Sequence, residues 1–168
     1  WQAEIDSAVE TIDFFRLNTH FAQEIYNVQP PLNYPNTWNR LEYRELAGFI
    51  VAISPFNFTA IGLNLPTYPA MMGNTVLWKP ASTAVLSNYL GYRILLEAGL
   101  PPGVIIFLPC AGKTIGPALD QESFAGLHFT GAPSTSISLS SQSGHNLDQQ
   151  KTRLRIVGGT VGANVKRV

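Results

Sequence analysis

Asn57, Lys79 and the pair Thr130–Gly131 are the residues of this chain whose types and settings suit chemistry on an anion or a developing oxyanion. Asn57 follows Ser54-Pro55-Phe56 in a turn after the apolar run Gly48 to Ile53. Its side-chain amide can donate to a developing oxyanion; an Asn that merely stabilises the turn has the same setting. Lys79 closes the run Thr75-Val-Leu-Trp-Lys79 and precedes Pro80. A buried stem with its ammonium at a sheet edge suits a ribose hydroxyl or a phosphate, and a lysine snorkelling to solvent reads alike. Thr130-Gly131 ends the run Gly126 to Thr130, where glycine admits close approach of an anion and a following helix adds its N-terminal dipole. An ordinary strand-to-helix turn would share that pattern. None of the three is decisive alone; their common placement after apolar runs favours nucleotide binding.

Other motifs carry less. Gly112-Lys113-Thr114 resembles the end of a phosphate-binding loop, but that motif needs a glycine where Phe107 stands. Gly158-Gly159-Thr160-Val161-Gly162 lacks the dinucleotide fingerprint's spacing. Asn57-Phe58-Thr59 matches a glycosylation acceptor directly after a buried strand, with nothing else pointing to secretion. His20, His128 and His145 lack metal-ligand spacing, so structural or surface roles are expected and no metal site is assigned.

The elements that position these residues follow from periodicity. Residues 4–26 repeat apolar side chains at Ile5, Val9, Ile12, Phe15, Ala22 and Tyr26, which predicts an amphipathic helix. A Pro- and Asn-rich loop covers 27–40, and Trp38 to Ala47 reads as an exposed strand or hairpin arm. Short apolar runs predict strands at 48–53, 75–79, 104–108, 126–130 and 154–157. Residues 56–72 read as a loop and then a helix interrupted by Pro66 and Pro69. Ser82 or Thr83 is expected to cap a helix running to Ala98, which Gly99 and Pro101 end. A short helix is expected near 114–120. Residues 132–152, rich in Ser and Gln, look least domain-like.

Strands alternating with helices predict an α/β fold, a Rossmann-like open parallel sheet with helices on both faces. Ligands then bind beyond the carboxyl ends of the strands, at 54–57, 79–82, 109–112 and 130–135. The 168 residues suffice for one domain core. At 45% apolar and 13% charged, some apolar surface is expected to meet another domain or subunit. Balanced charge, 11 Lys plus Arg against 11 Asp plus Glu, gives no electrostatic case for nucleic acid or an anionic membrane. No apolar run reaches the roughly 18 residues needed to span a bilayer. The single Cys110 excludes an internal disulfide.

Ser54-Pro-Phe-Asn-Phe-Thr59, Met72-Gly-Asn-Thr-Val-Leu-Trp-Lys-Pro80, Glu97-Ala-Gly-Leu-Pro-Pro-Gly103 and His128-Phe-Thr-Gly131, in this order, resemble the aldehyde dehydrogenases. Ile12-Asp-Phe-Phe-Arg16, Pro55-Phe-Asn-Phe-Thr59 and Leu77-Trp-Lys-Pro80 are most similar to the branch that oxidises pyrroline-5-carboxylate. The resemblance runs from about residue 1 to 131 and returns faintly at 146–148 and 155–158. It implies NAD as cofactor and a small-molecule aldehyde, glutamate γ-semialdehyde, as substrate. In such enzymes a Cys thiolate attacks the aldehyde, hydride passes to NAD, and a Glu activates the water that releases the thioester. Carried over residue by residue, Asn57 is the oxyanion-hole amide. Ile53, Ser54, Pro55 and Phe56 line the nicotinamide-side groove. Lys79 holds the adenosine ribose with Ser82 nearby, and Gly112 lies against the adenine. Gly131, Ala132, Pro133, Ser134 and Thr135 face the pyrophosphate. Phe58 flanks the aldehyde chain and Glu10 sits at the substrate entrance. Residues 38–47 correspond to projecting strands that join subunits of a homo-oligomer, and the family implies a mitochondrial matrix or bacterial cytoplasmic location.

The same comparison predicts departures. Gly159 stands where the family carries its general-base Glu, and Ala132 where a phosphate-binding Ser is usual. Residues 136–145 match no family pattern, and Cys110 lies by the adenine turn, where a small buried thiol is expected rather than the nucleophile. Both ends look cut. The organisation expected is therefore a partial NAD-binding domain: helix 1–26, loop and oligomerisation strands 27–47, core 48–135 and divergent tail 136–168, with the catalytic domain absent and the chain inactive alone. The alternative is a degenerate module that binds nucleotide or a subunit without catalysis.

Overall fold

The computed structural model describes residues 1–160. Its frame is a sheet of five parallel strands, β1 (Phe49–Ile53), β2 (Thr75–Lys79), β3 (Ile105–Phe107), β4 (Phe124–Gly131) and β5 (Arg155–Thr160). Their order is β3-β2-β1-β4-β5, so the strand order reverses between β1 and β4. The chain enters through α1 (Gln2–Glu4), a π turn (Ile5–Val9) and α2 (Glu10–Asn27), which run on without a break. Helix α3 (Thr59–Met71) links β1 to β2, and α4 (Val85–Glu97) links β2 to β3. The short α5 (Gly116–Leu119) precedes β4, and α6 (Pro133–His145) links β4 to β5.

Alternation along the central strand divides the core. Val51 and Ile53 pack with Leu127, Phe129, Ile115, Leu119 and Leu139, under α5 and α6. Ile50 and Ala52 point the other way, onto Leu63, Leu65, Val76, Trp78 and Ile105, under α3 and α4. A strand buried on both faces must be apolar throughout, which explains the uninterrupted run in β1.

Four expectations need correction. The helix over 59–71 is continuous through Pro66 and Pro69 rather than interrupted. Each proline removes a donor, at an intrinsic cost of about 3 kcal/mol. Burial of Leu63, Leu65 and Pro66 against the sheet offsets it. The carbonyl that Pro69 leaves without a helical partner, that of Leu65, accepts Nδ1–H of His128 from β4 at 2.9 Å. Trp38 to Ala47 forms no strand. Among the described residues no ladder partner lies beside it, and a strand without one is not stable. Its backbone is pinned instead by side chains: Leu41 N–H donates to Gln29 Oε1 at 2.9 Å and Leu46 N–H to Asn74 Oδ1 at 3.0 Å. Ser82 and Thr83 cap nothing. They open a 3-10 turn, Ser82–Ala84, ahead of α4, and neither side chain bonds the helix start. The Ser- and Gln-rich stretch 132–152, expected to be the least domain-like, builds α6 over Pro133–His145, whose Leu139 enters the core.

The end of α4 follows the expected pattern. Gly99, at φ +103°, donates to Leu96 O at 3.1 Å and Leu100 N–H to Leu95 O at 2.9 Å, the paired bonds of a Schellman motif. The first helix is long, as expected, but its stripe is offset. Thr11 and Ala22 are its buried residues, and Asn18 Nδ2 donates to Asn64 Oδ1 of α3 at 2.6 Å, whereas Ile5, Val9, Ile12 and Phe21 stay exposed. Val157 of β5 is likewise uncovered. Among the described residues no helix is long and apolar enough to cross a membrane, and no group of His, Cys, Asp and Glu clusters as a metal site. The expectations placed on residues 161–168 lie outside the described residues.

The His128 bond makes a measurable claim. Burial pushes the imidazole pKa below its ordinary value, opposed in part by the bond to Leu65, so the ring is held neutral. His128→Ala leaves the Leu65 carbonyl unpaired and should cost about 1–3 kcal/mol near pH 7.5. Because the folded-state pKa lies below the unfolded one, the ring's contribution is present above roughly pH 6.5 and fades as pH falls through the lowered folded value. Denaturation midpoints of parent and variant should therefore converge on acidification; a gap that stays constant from pH 7.5 to 5 contradicts this account.

Candidate functional site at the carboxyl edge of the sheet

Parallel strands put all their carboxyl ends on one edge, and the register shows how the predicted segments align there. Ile53 pairs with Lys79 on one side and with Phe129 on the other. The segments after them, 54–57, 79–82 and 130–135, thus leave adjacent strands, with 109–112 one strand further out. Thr130 and Gly131 pair with Gly159 and Thr160 of β5. The topology brings the sequence-predicted rim together, on both sides of the point where the strand order reverses.

The four rim segments carry Lys79 and Cys110 as their ionisable residues, so no carboxylate belongs to them. Lys79 is 6% exposed, and its Nζ donates to the Pro80 carbonyl at 3.0 Å. Among the described residues it has no carboxylate partner. An ammonium has three donors, so a buried cation here keeps capacity for an oxygen ligand. Helix α6 starts at the rim, with Ala132 as N-cap and Pro133 in its first turn, and no side chain caps it. Ser136 N–H donates to Ala132 O at 3.1 Å, while the N–H groups of Ser134 and Thr135 precede the first helical bond. Two features of the rim favour an anion, one ammonium and one helix N-terminus, while the Asp6 carboxylate lines the cavity beside Asn57.

Other predicted residues fall less simply. Asn57 is exposed and faces an open, polar cavity of about 470 Å³ that it shares with Thr59 and with Gln2, Asp6 and Ser7 at the start of the chain. Phe56 is largely exposed, and Phe58, half-buried, is the N-cap residue of α3. Glu10 is half-buried in the first turn of α2 and does not line that cavity. Ser54 turns its hydroxyl inward: Oγ accepts Nε1–H of Trp78 at 3.0 Å, so its side chain serves β2 rather than the rim. Ser82 and Gly112 are exposed, and nothing lies within 4 Å of where a Gly112 side chain would begin. Cys110 is partly buried against the core under α5 and α6. Gly159 is exposed, and a Cβ there would meet Thr130 Oγ1 at 3.2 Å.

Sequence reasoning missed the partnership of Trp78 with Ser54 and the π turn that brings Asp6 and Ser7 to Asn57. The first depends on β1–β2 register. The second arises where the hydrogen-bonding of a helix changes, which apolar spacing does not record.

Comparison with known proteins agrees with this frame. The model of the aldehyde dehydrogenase family matches residues 1–159. A delta-1-pyrroline-5-carboxylate dehydrogenase of Agaricus bisporus is 53% identical over 164 residues, 98% of this chain and 30% of its own length. The mitochondrial delta-1-pyrroline-5-carboxylate dehydrogenase of Dictyostelium discoideum is 57% identical over 165 residues, 96% of this chain and 30% of its own. The crystal structure of the Mycobacterium tuberculosis delta-pyrroline-5-carboxylate dehydrogenase bound with NAD superposes with a TM-score of 0.92 at 48% identity, over 95% of this chain and 30% of that one. The chain thus spans about 30% of the length of the relatives it matches.

Proposed function

The chain belongs to the aldehyde dehydrogenase family, and from that premise we propose that its carboxyl edge is the NAD-binding part of an enzyme oxidising glutamate γ-semialdehyde to glutamate. The observation that carries this reading is Lys79, an ammonium buried at the sheet edge whose one protein partner among the described residues is a neighbouring carbonyl. The rim fits an anionic dinucleotide: the ionisable side chains of its four segments include no acid, and the N–H groups of Ser134 and Thr135, without a partner among the described residues, open α6 beside Gly131.

In this reading Lys79 holds a ribose hydroxyl, with Ser82 next to it, and Gly112 leaves its side open to the adenine. Gly131, Ala132, Pro133, Ser134 and Thr135 face the pyrophosphate. Ile53, Pro55 and Phe56 border the nicotinamide end. When bound, the dinucleotide supplies a hydride acceptor. Asn57 presents its amide N–H to the aldehyde oxygen as negative charge develops there. Phe58 bounds the aldehyde chain, and Glu10 lies toward the substrate's approach. The single cysteine, Cys110, packs against the core by the adenine-side turn and is not the nucleophile. Gly159, at the position of the general base, cannot take a proton. We therefore expect these 168 residues to bind NAD without turning over aldehyde. The exposed Leu32, Tyr34 and Trp38 support a role for the loop before β1 in oligomer contact. The names of eukaryotic relatives support a mitochondrial location.

Calorimetric titration with NAD tests the reading. Weak binding is expected, with Lys79→Ala weakening it further by roughly 10- to 100-fold, the worth of a hydrogen bond to a charged group. Binding insensitive to that substitution removes the adenosine-side assignment. A second reading, a degenerate module that kept the fold and lost the ligand, is favoured by Ala132 and Gly159, and no NAD binding at all would favour it further.

A further inference from the structure

Ser54, three residues before Asn57, is held by hydrogen bonds at both backbone and side chain. Its N–H donates to the Lys79 carbonyl at 3.2 Å, one step past the β1–β2 ladder, and its Oγ accepts the Trp78 indole N–H at 3.0 Å. Both residues are buried, Ser54 at 3% and Trp78 at 0% exposure. The indole is held in turn by an aromatic cluster. Phe107 meets it edge-on, with centroids 5.0 Å apart at 80°, and Tyr92 does so at 6.4 Å and 76°. Tyr92 stacks on Phe107 at 5.5 Å and donates its hydroxyl to Ile105 O at 3.1 Å. Trp78 is thus tied to α4 and β3 and presents its N–H from a fixed place.

Beyond Ser54 the constraint passes down the chain. Pro55 is buried, fixes its own φ and confines Ser54 to extended backbone. Downstream, the Phe58 carbonyl accepts Gly62 N–H at 2.9 Å and opens α3. Between these anchors Phe56 and Asn57 are exposed, and among the described residues the Asn57 amide makes no hydrogen bond. The turn sets the direction of its Cα–Cβ bond and so the space the amide can reach. Resting on the reading of Asn57 as the oxyanion donor, we propose that Trp78 is a positioning residue: its indole N–H clamps Ser54 and so aims the Asn57 amide.

Trp78→Phe keeps a ring against Phe107 and Tyr92 and removes the N–H; Ser54→Ala removes the acceptor. In a chimera that joins residues 1–131 to a relative's general-base Glu and nucleophilic Cys, each should lower kcat roughly 10- to 100-fold, the scale of an ångström-sized misplacement. The NAD Kd should change less than kcat, since the Lys79 ammonium and the start of α6 keep their contacts and only Pro55 and Phe56, at the nicotinamide end, lie on the path from Ser54 to Asn57. The double variant should be no worse than the poorer single, because both remove one bond. A readout independent of turnover is hydrogen exchange at the Trp78 indole, slow in the parent and accelerated in Ser54→Ala. An unimpaired Trp78→Phe beside an impaired Asn57→Ala overturns the clamp and leaves the site reading standing. An unimpaired Asn57→Ala overturns both. Additive losses in the double variant also overturn the clamp, since the residues would then act separately. If Trp78→Phe does not fold, Ser54→Ala, which removes one oxygen, decides through kcat and indole exchange.

Discussion

Asn57→Ala, in a chimera of residues 1–131 with a relative's general-base Glu and nucleophilic Cys, is expected to lower kcat roughly 100- to 1,000-fold, the loss typical of deleting one oxyanion-hole donor. The reason is differential. Among the described residues the amide meets no protein partner, and it is exposed beside the polar cavity at the start of α3, so removing it costs the folded state little. An N–H aimed at a carbonyl oxygen gains most when that oxygen becomes an alkoxide, which places the loss in the chemical step. Single-turnover NADH formation should slow by the same factor as kcat, with the NAD Kd unchanged. Asn57→Asp, similar in size but unable to donate when ionised, should be no better than alanine. A rise in KM with kcat intact would identify Asn57 as a binding residue and end its assignment to the oxyanion.

What the sequence made legible follows the physics of each element. Strands β1 and β2 were readable because burial on both faces forces continuous apolar runs, and β2 closes at Lys79 just before Pro80. Their carboxyl ends were legible with them, and hence the rim, because parallel strands share an edge. Helix α3 was read as broken because local propensity weighs prolines without knowing what lies opposite; the donor that repairs the gap, His128, is distant in sequence, on β4. Residues 38–47 alternate as a strand does, yet alternation cannot supply the partner a ladder needs. Helix α6 was obscured by composition. Its Ser and Gln residues read as linker, but Leu139 reaches the core, and Gln142 Nε2 donates to Gly116 O and to Asp120 Oδ1, each at 3.1 Å, tying α6 to α5. For the site, residue types indicated Asn57 and Lys79, but not that the Ser54 hydroxyl would be turned toward Trp78. That contact needs the register between two strands, which no local pattern contains.

Gly48→Ala is expected to destabilise the fold by about 3–5 kcal/mol, combining positive-φ strain with a forced backbone displacement in a packed core. Gly48 sits at φ +151° directly before β1, and a Cβ there would lie 2.2 Å from the Ser123 carbonyl oxygen and 3.0 Å from Ala125 Cβ. That oxygen accepts Phe49 N–H at 3.0 Å, the bond that starts the β1–β4 pairing. The register beside it already shifts, with Phe49 opposite Phe124 and Ile50 opposite Gly126, so the irregular start of β4 fits against the bare glycine. A methyl group cannot be absorbed by rotating a side chain, because the atom it strikes is backbone. The clash must move β1 or β4, both of which are buried and carry the rim segments at their far ends. Denaturant unfolding should show the midpoint collapse with the m-value preserved. Gly112→Ala, at a position with open space around it, should lie within about 0.5 kcal/mol of the parent, as surface substitutions usually do. If instead the two variants proved equally stable, the close approach of β1 to the start of β4 would be wrong, and with it the register that sets Ile53 between Lys79 and Phe129.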